Sequence, residues 1–241
     1  MEQILLLSLL VLVASAIGTF SGFGIATIMM PVLLLFFPLS FALLFVSIVH
    51  WFGDVWKVLL FRQGARKWKL ILWFAIPGVL AGWFGATISF SFPPEFLLRV
   101  LGAFLLLYAA FLLFNPKWRI PQSNTVVGIG GLLSGFTAGV FGVGGEIRGA
   151  ALAAFNLPKK VYLFTAGFAA LFIDSTRIVT YLAGGTRLEG LFLWGLLLFI
   201  PLSFVGAFIA KKFVNRIPQQ YFRFVIALFL ALAGLKFLLF P

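Results

Sequence analysis

Cysteine is absent from this chain, histidine occurs once, and only six carboxylate side chains are spread over 241 residues. Without thiols there are no disulfides, no thiolate metal sites and no cysteine redox chemistry, and a lone histidine cannot build a zinc-type cluster. The sequence shows no Cys/His or Ser/His constellation for nucleophilic catalysis, no Walker motif to cradle phosphates, and no soluble stretch to hold a nucleotide. An enzyme is therefore not expected, nor a self-contained ATP-driven pump, and no cofactor or metal is assigned.

What the chain has instead is apolar length. Hydrophobic residues make up 63% of it, 32 positions are Phe, and charged residues account for only 10%. Apolar segments fall at about 4–37, 40–61, 70–90, 96–114, 124–156, 160–182, 188–210 and 219–240, the pattern of a polytopic membrane protein. The expected fold is all-α, and the expected location is the cell (inner) membrane, crossed several times. The net charge of +12 sits in Lys and Arg of the short loops, where it is first an orientation signal and second an attraction for anions. The expected partners are a small anionic substrate and the lipid bilayer, with no nucleic acid; a homo-oligomer is compatible with this composition. The opening MEQILLLSLLVLVASA resembles a signal peptide ending at Ala14-Ser15-Ala16. Its head carries Glu2 and no base, and its apolar run continues into a motif that recurs later, so it is expected to remain in the mature protein.

Two of the eight segments are too long. As continuous helices, 4–37 and 124–156 would each reach about 50 Å at 1.5 Å per residue, against a hydrocarbon core of about 30 Å. The second contains GIGGLLSGFTAGVFGVGGEIRG (128–149), with nine glycines and two charges, Glu146 and Arg148. Irregular backbone at membrane depth survives only where protein covers it or it lines a cavity. A helix restarting after Gly145 would aim its free N–H groups and positive dipole end into that cavity.

The chain also repeats itself. Gly18 and Gly22 correspond to Gly135 and Gly139, and Pro38 corresponds to Pro158. Asp54, Lys57, Phe61 and Gly64 match Asp174, Arg177, Tyr181 and Gly184 without a gap. Pro77 and Gly82 match Pro201 and Gly206, and Pro94 and Arg99 match Pro218 and Arg223. The expected division is a first repeat at 1–114, a cytoplasmic linker at 115–123 and a second repeat at 124–241. Each repeat is a glycine-rich re-entrant or broken hairpin followed by three transmembrane helices. If 124–156 turns back at its glycines, Lys159, Lys160, Lys211, Lys212 and Arg216 join Arg62, Arg66, Lys67, Lys69, Lys117 and Arg119 on the cytoplasmic side. A hairpin plus three spans is an odd number of crossings, so the second repeat is expected to be inverted. The hairpin tips would then meet near the midplane, where secondary transporters bind substrate.

The paired motifs GTFSGFG (18–24) and SGFTAGVFGVGGE (134–146), each opening one half of a short, basic, eight-segment chain, resemble the sulfite exporter TauE/SafE family. The resemblance covers nearly the whole chain. It implies a bacterial membrane transporter of sulfite, thiosulfate or small organosulfonates. Two departures are visible: family members usually carry a run of glycines where this chain has Gly144-Gly145-Glu146, and Gly24 is followed by Ile25-Ala26-Thr27.

Arg148 is the leading anion ligand. A cation deep in the bilayer costs about 3 kcal/mol or more unless compensated, and its planar fork suits sulfite or sulfonate oxygens. The structural alternative is an ion pair with Glu146 or with an aspartate across the interface; residues two apart on a helix do not face each other. Backbone N–H groups of Gly142, Gly144 and Gly145 would complete one wall, and Gly22, Gly24 and Thr27 the opposite one. Glu146 is either a proton carrier or a structural partner for a base, and His50 either a proton shuttle or anion donor or a packed, satisfied side chain. Asp54 with Lys57, and Asp174 with Arg177, are i,i+3 pairs expected toward opposite membrane faces. They act as gating or vestibule charges, or as internal salt bridges whose bases snorkel outward. The expected function is a secondary transporter of a small anion working by alternating access. A passive anion channel and a carrier of a non-sulfur carboxylate are the alternatives.

Overall fold

The computed structural model describes residues 2–21, 24–62, 67–114, 121–213 and 219–241, with backbone alone at 21, 213 and 219–223. The described residues form ten helices and no strand: α1 (Glu2–Ser21), α2 (Ala26–Leu33), α3 (Leu39–Leu60), α4 (Trp68–Ile88), α5 (Pro94–Phe114), α6 (Asn124–Phe141), α7 (Gly145–Ala153), α8 (Lys159–Ala183), α9 (Gly190–Phe213) and α10 (Gln219–Leu239). Seven of these, α1, α3, α4, α5, α6, α8 and α9, are long and apolar enough to cross a membrane, and Phe224–Leu239 adds a shorter apolar stretch. Leu107, Trp194 and Leu197 are exposed on the outside of the bundle, as side chains facing lipid are. The chain is a multi-pass protein of the cell membrane.

Both over-long segments are broken. Segment 4–37 divides into α1 and α2, and segment 124–156 into α6 and α7. Ser123 starts α6 by accepting the Val126 N–H at 3.1 Å, the usual work of a capping hydroxyl. Gly142 ends it at φ 75°, donating its N–H to the Ala138 carbonyl at 2.9 Å. That left-handed conformation costs glycine little and a residue with a Cβ considerably more. Gly24, at φ 102°, occupies the corresponding break between α1 and α2. Pro38 and Pro158 then open α3 and α8 from extended backbone, since proline favours extended or helix-initiating positions.

Helix directions follow from which residues touch. Gly131, Gly135 and Gly139 of α6 rest on Phe74, Gly78 and Gly82 of α4 at a constant register, so the two run parallel. The approach is close: a Cβ added at Gly135 would lie 2.8 Å from the Gly78 carbonyl carbon, and one at Gly139 2.6 Å from the Ala86 nitrogen. Small residues are what permit backbones to pack this tightly in a membrane. Trp68 packs edge-on against Phe168 at 5.1 Å, and Gly78 faces Ile173, so α8 also runs parallel to α4. Since α6 and α8 point the same way, the chain must reverse between them, and α7 is the return limb. Gly130 of α6 faces Ala151 of α7, and Ser134 Oγ donates to the Gly144 carbonyl at 2.6 Å. Asn124 and Phe155, at the two ends of this segment, line one cavity with Trp68.

The first half is built alike. Gly206 of α9 sits on Leu12 and Ser15 of α1, and Gly195 lies beside Ile4. Phe45 meets Phe199 at 5.4 Å, and Trp56 donates to Ser203 Oγ at 2.9 Å. Both α1 and α3 are therefore parallel to α9, with α2 as the return limb. Each broken element packs on the other half's helix, α1 on α9 and α6 on α4. Between them, α3 crosses α8 antiparallel through His50, Asp174, Lys57 and Gly167. In the same way α5 crosses α10 antiparallel at Gly102 and Gly234.

Candidate functional site

The two breaks face each other's return limbs. A Cβ built on Gly24 would lie 2.6 Å from His50 Nε2 and 3.2 Å from Arg148 Nη2. One point at the first break is thus shared by the only histidine and by the arginine of α7. At the second break, a Cβ on Gly142 would lie 2.8 Å from Met30 Sδ in α2. Gly22 lies outside the described residues. Gly144 is wedged against α6, where a Cβ would lie 2.9 Å from that of Ala138, and its carbonyl accepts both Ser134 Oγ and the Arg148 N–H. Gly145 is the first residue of α7, whose N-terminus carries no side-chain cap.

Behind this point lies a buried charge cluster. His50 Nδ1 is 2.5 Å from Asp174 Oδ2 and 3.2 Å from Asp54 Oδ2. Each carboxylate gives its other oxygen to a base at 2.6 Å, Lys57 to Asp54 and Arg177 to Asp174. These are the two i,i+3 pairs of the sequence; all four side chains are buried and the two carboxylates meet at one imidazole. The cause is the antiparallel α3–α8 crossing, which sets Asp174 opposite His50 and Lys57 opposite Gly167. The bases still diverge: Gly167 and Arg177 are ten residues apart in α8, about 15 Å of helix axis.

Glu146 is fully buried in the first turn of α7, its carboxyl hydrogen-bonded to the Thr27 side chain and to its own backbone N–H. Thr27 of α2 is beside it, and its charged neighbours are Arg148 and His50. His50 Nε2 and Arg148 Nε are buried without a hydrogen-bond partner among the described residues. Buried polar groups are nearly always satisfied, and leaving one unmet costs about 1–3 kcal/mol. These two side chains, His50 and Arg148, meet at the first helix break. Tyr162 of α8 approaches Arg148, and no signal in the sequence points to it. Tyr181 closes the back of Arg177, 5.8 Å from its guanidinium, and donates to the Gly139 carbonyl at 2.5 Å.

Compared with models of protein families, the chain matches the one described as Sulfite exporter TauE/SafE over residues 7–237 of 241. The chain belongs to the sulfite exporter TauE/SafE family. No match was found among curated individual proteins. TauE/SafE membership accords with the seven membrane-length helices and places the protein among membrane transporters of sulfite or related anions.

Proposed function

We propose that this TauE/SafE protein is a secondary transporter that binds a small sulfur-containing anion, namely sulfite, thiosulfate or an organosulfonate, between its two helix breaks and moves it by alternating access. The observation that carries this reading is the point at Gly24 shared by His50 Nε2 and Arg148 Nη2. A guanidinium and an imidazole nitrogen at one place, the first carried on a short helix with no side-chain cap, suit a tetrahedral or pyramidal oxyanion.

In this reading α1–α5 and α6–α10 are inverted repeats, and each broken element is re-entrant. Support comes from the exchange of partners, α1 with α9 and α6 with α4. The antiparallel crossings of α3 with α8 and α5 with α10 add to it. A two-fold axis perpendicular to the helices relates such elements, as in transporters that rock one repeat against the other. Under this correspondence Met30 takes the place of Arg148, and Ile28 that of Glu146. The Gly24–Arg148 and Gly142–Met30 contacts are then equivalent in position and opposite in polarity, so the anion belongs to one side of the axis.

The test is calorimetric binding of sulfite, thiosulfate and methanesulfonate to the full chain in detergent, with uptake into proteoliposomes alongside. Replacing Arg148 by Gln removes charge-assisted hydrogen bonds of about 1.5–3 kcal/mol, so affinity should fall about 10- to 100-fold. Arg148→Lys keeps the charge, loses the fork and should fall between. Wild-type transport by a well-folded Arg148→Gln protein would make Arg148 structural and move the anion toward Lys57 and Arg177.

A further inference from the structure

The reading of the anion site leaves open what drives transport, and the surroundings of His50 bear on that question. His50 Nδ1 faces two carboxylate oxygens, Asp174 Oδ2 at 2.5 Å and Asp54 Oδ2 at 3.2 Å. Both carboxylates are held by bases, Arg177 and Lys57, and an ionised carboxylate can only accept. Nδ1 must therefore carry a hydrogen whatever the charge of the ring. The proton that can come and go is the one on Nε2. That atom is buried, has no hydrogen-bond partner among the described residues, and looks onto the same point as Arg148 Nη2.

The charge balance points the same way. The groups facing His50 are Asp54 and Lys57 from its own helix, Asp174 and Arg177 from α8, and Glu146 and Arg148 from α7. Around Nδ1, two acids offset two bases, so a proton on Nε2 gives that cluster one net positive charge. A neutral His50 presents a lone pair at Nε2 to an arriving anion, which repels it. A protonated His50 presents an N–H donor, but then leaves the buried cluster with one net positive charge, which is unfavourable in a low-dielectric interior. An anion and a proton arriving together resolve both problems.

We propose that His50 is the coupling site of this transporter: one proton from solvent binds at Nε2 as one anion binds between Nε2 and Arg148, and the two cross together. The inference rests on the proposed anion site. For a monoanion, proton and anion cross as a neutral pair, so transport should be one proton per anion and insensitive to membrane potential.

Calorimetry at pH 7.5 in buffers of different ionisation enthalpy counts protons taken up on binding. Methanesulfonate and thiosulfate serve as probes because neither titrates near neutrality. In the wild-type chain, about one proton should enter per anion, and affinity should fall as pH rises. His50→Gln keeps a donor at the site and should bind with pH-independent affinity and no proton uptake. Potential-driven, electrogenic methanesulfonate uptake by the wild type would overturn the proposal. So would binding that needs Arg148 but carries no proton, which would leave the anion site standing and remove the coupling. Linkage that survives in His50→Gln and vanishes in Glu146→Gln would hand the proton to Glu146 and equally refute it. Binding of neither probe, or binding indifferent to Arg148→Gln, would remove the anion site itself and the coupling with it. If His50→Gln does not fold, the wild-type proton count and its persistence in Glu146→Gln decide.

Discussion

Adding one methyl group at Gly24 should empty the site while leaving the fold in place. Gly24 has φ 102°, where an L side chain costs about 1–2 kcal/mol. In Gly24→Ala the new Cβ would also lie 2.6 Å from His50 Nε2 and 3.2 Å from Arg148 Nη2. Ordinary contact needs about 1 Å more from the imidazole, which is tethered to Asp174 at 2.5 Å, and overpacking of this kind adds about 1–3 kcal/mol. Gly142→Ala provides the control. Its φ of 75° carries a similar backbone cost, yet its Cβ meets only the thioether of Met30, 2.8 Å away and able to turn aside. Both variants should therefore unfold at lower temperature in detergent, Gly24→Ala by the larger amount. Only Gly24→Ala should lose thiosulfate binding, by about tenfold or more given the displaced donors. If Gly142→Ala abolishes binding and Gly24→Ala keeps it, the anion is not held at the first break and the geometric argument fails.

Asp54→Asn should destabilise the fold by about 3–5 kcal/mol, because it leaves the Lys57 ammonium buried without its carboxylate; adding Lys57→Met should restore most of that loss in thermal unfolding, and no recovery would mean that the pair is not coupled. Gly135→Val should prevent stable folding, since its side chain would enter the Gly78 backbone, 2.8 Å from the carbonyl carbon at the Cβ alone; normal yield and melting would contradict the parallel α4–α6 seam. In this cysteine-free chain, Gln122→Cys and Lys159→Cys should react with an impermeant thiol reagent from the same, cytoplasmic face, and Arg187→Cys from the other. Labelling of Gln122→Cys and Lys159→Cys from opposite faces would mean that segment 124–156 crosses the membrane and is not re-entrant.

Much of the architecture was legible in the sequence because a bilayer enforces it locally. Span number follows from apolar length against a fixed core thickness, and the two breaks follow from glycine runs in segments too long to cross as single helices. The end of α6 falls at Gly142 because a left-handed cap demands glycine, a demand visible in one residue. The family was legible too, since its motifs are contiguous in the chain. Residues 115–120 of the expected linker, like Arg66 and Lys117, lie outside the described structure.

What only the tertiary structure decided is the register of one helix on another. The i,i+3 spacing identified Asp54 with Lys57 and Asp174 with Arg177, but spacing along one helix says nothing about the angle or offset at which a second helix crosses it. The antiparallel crossing of α3 on α8 puts His50 between the two aspartates and turns two separate pairs into one neutral buried cluster. The partner exchange of α1 and α6 likewise sets Gly24 beside Arg148, 124 positions away in the chain. Close packing through glycine fixes those offsets to a fraction of an ångström, and no local pattern of residues encodes them.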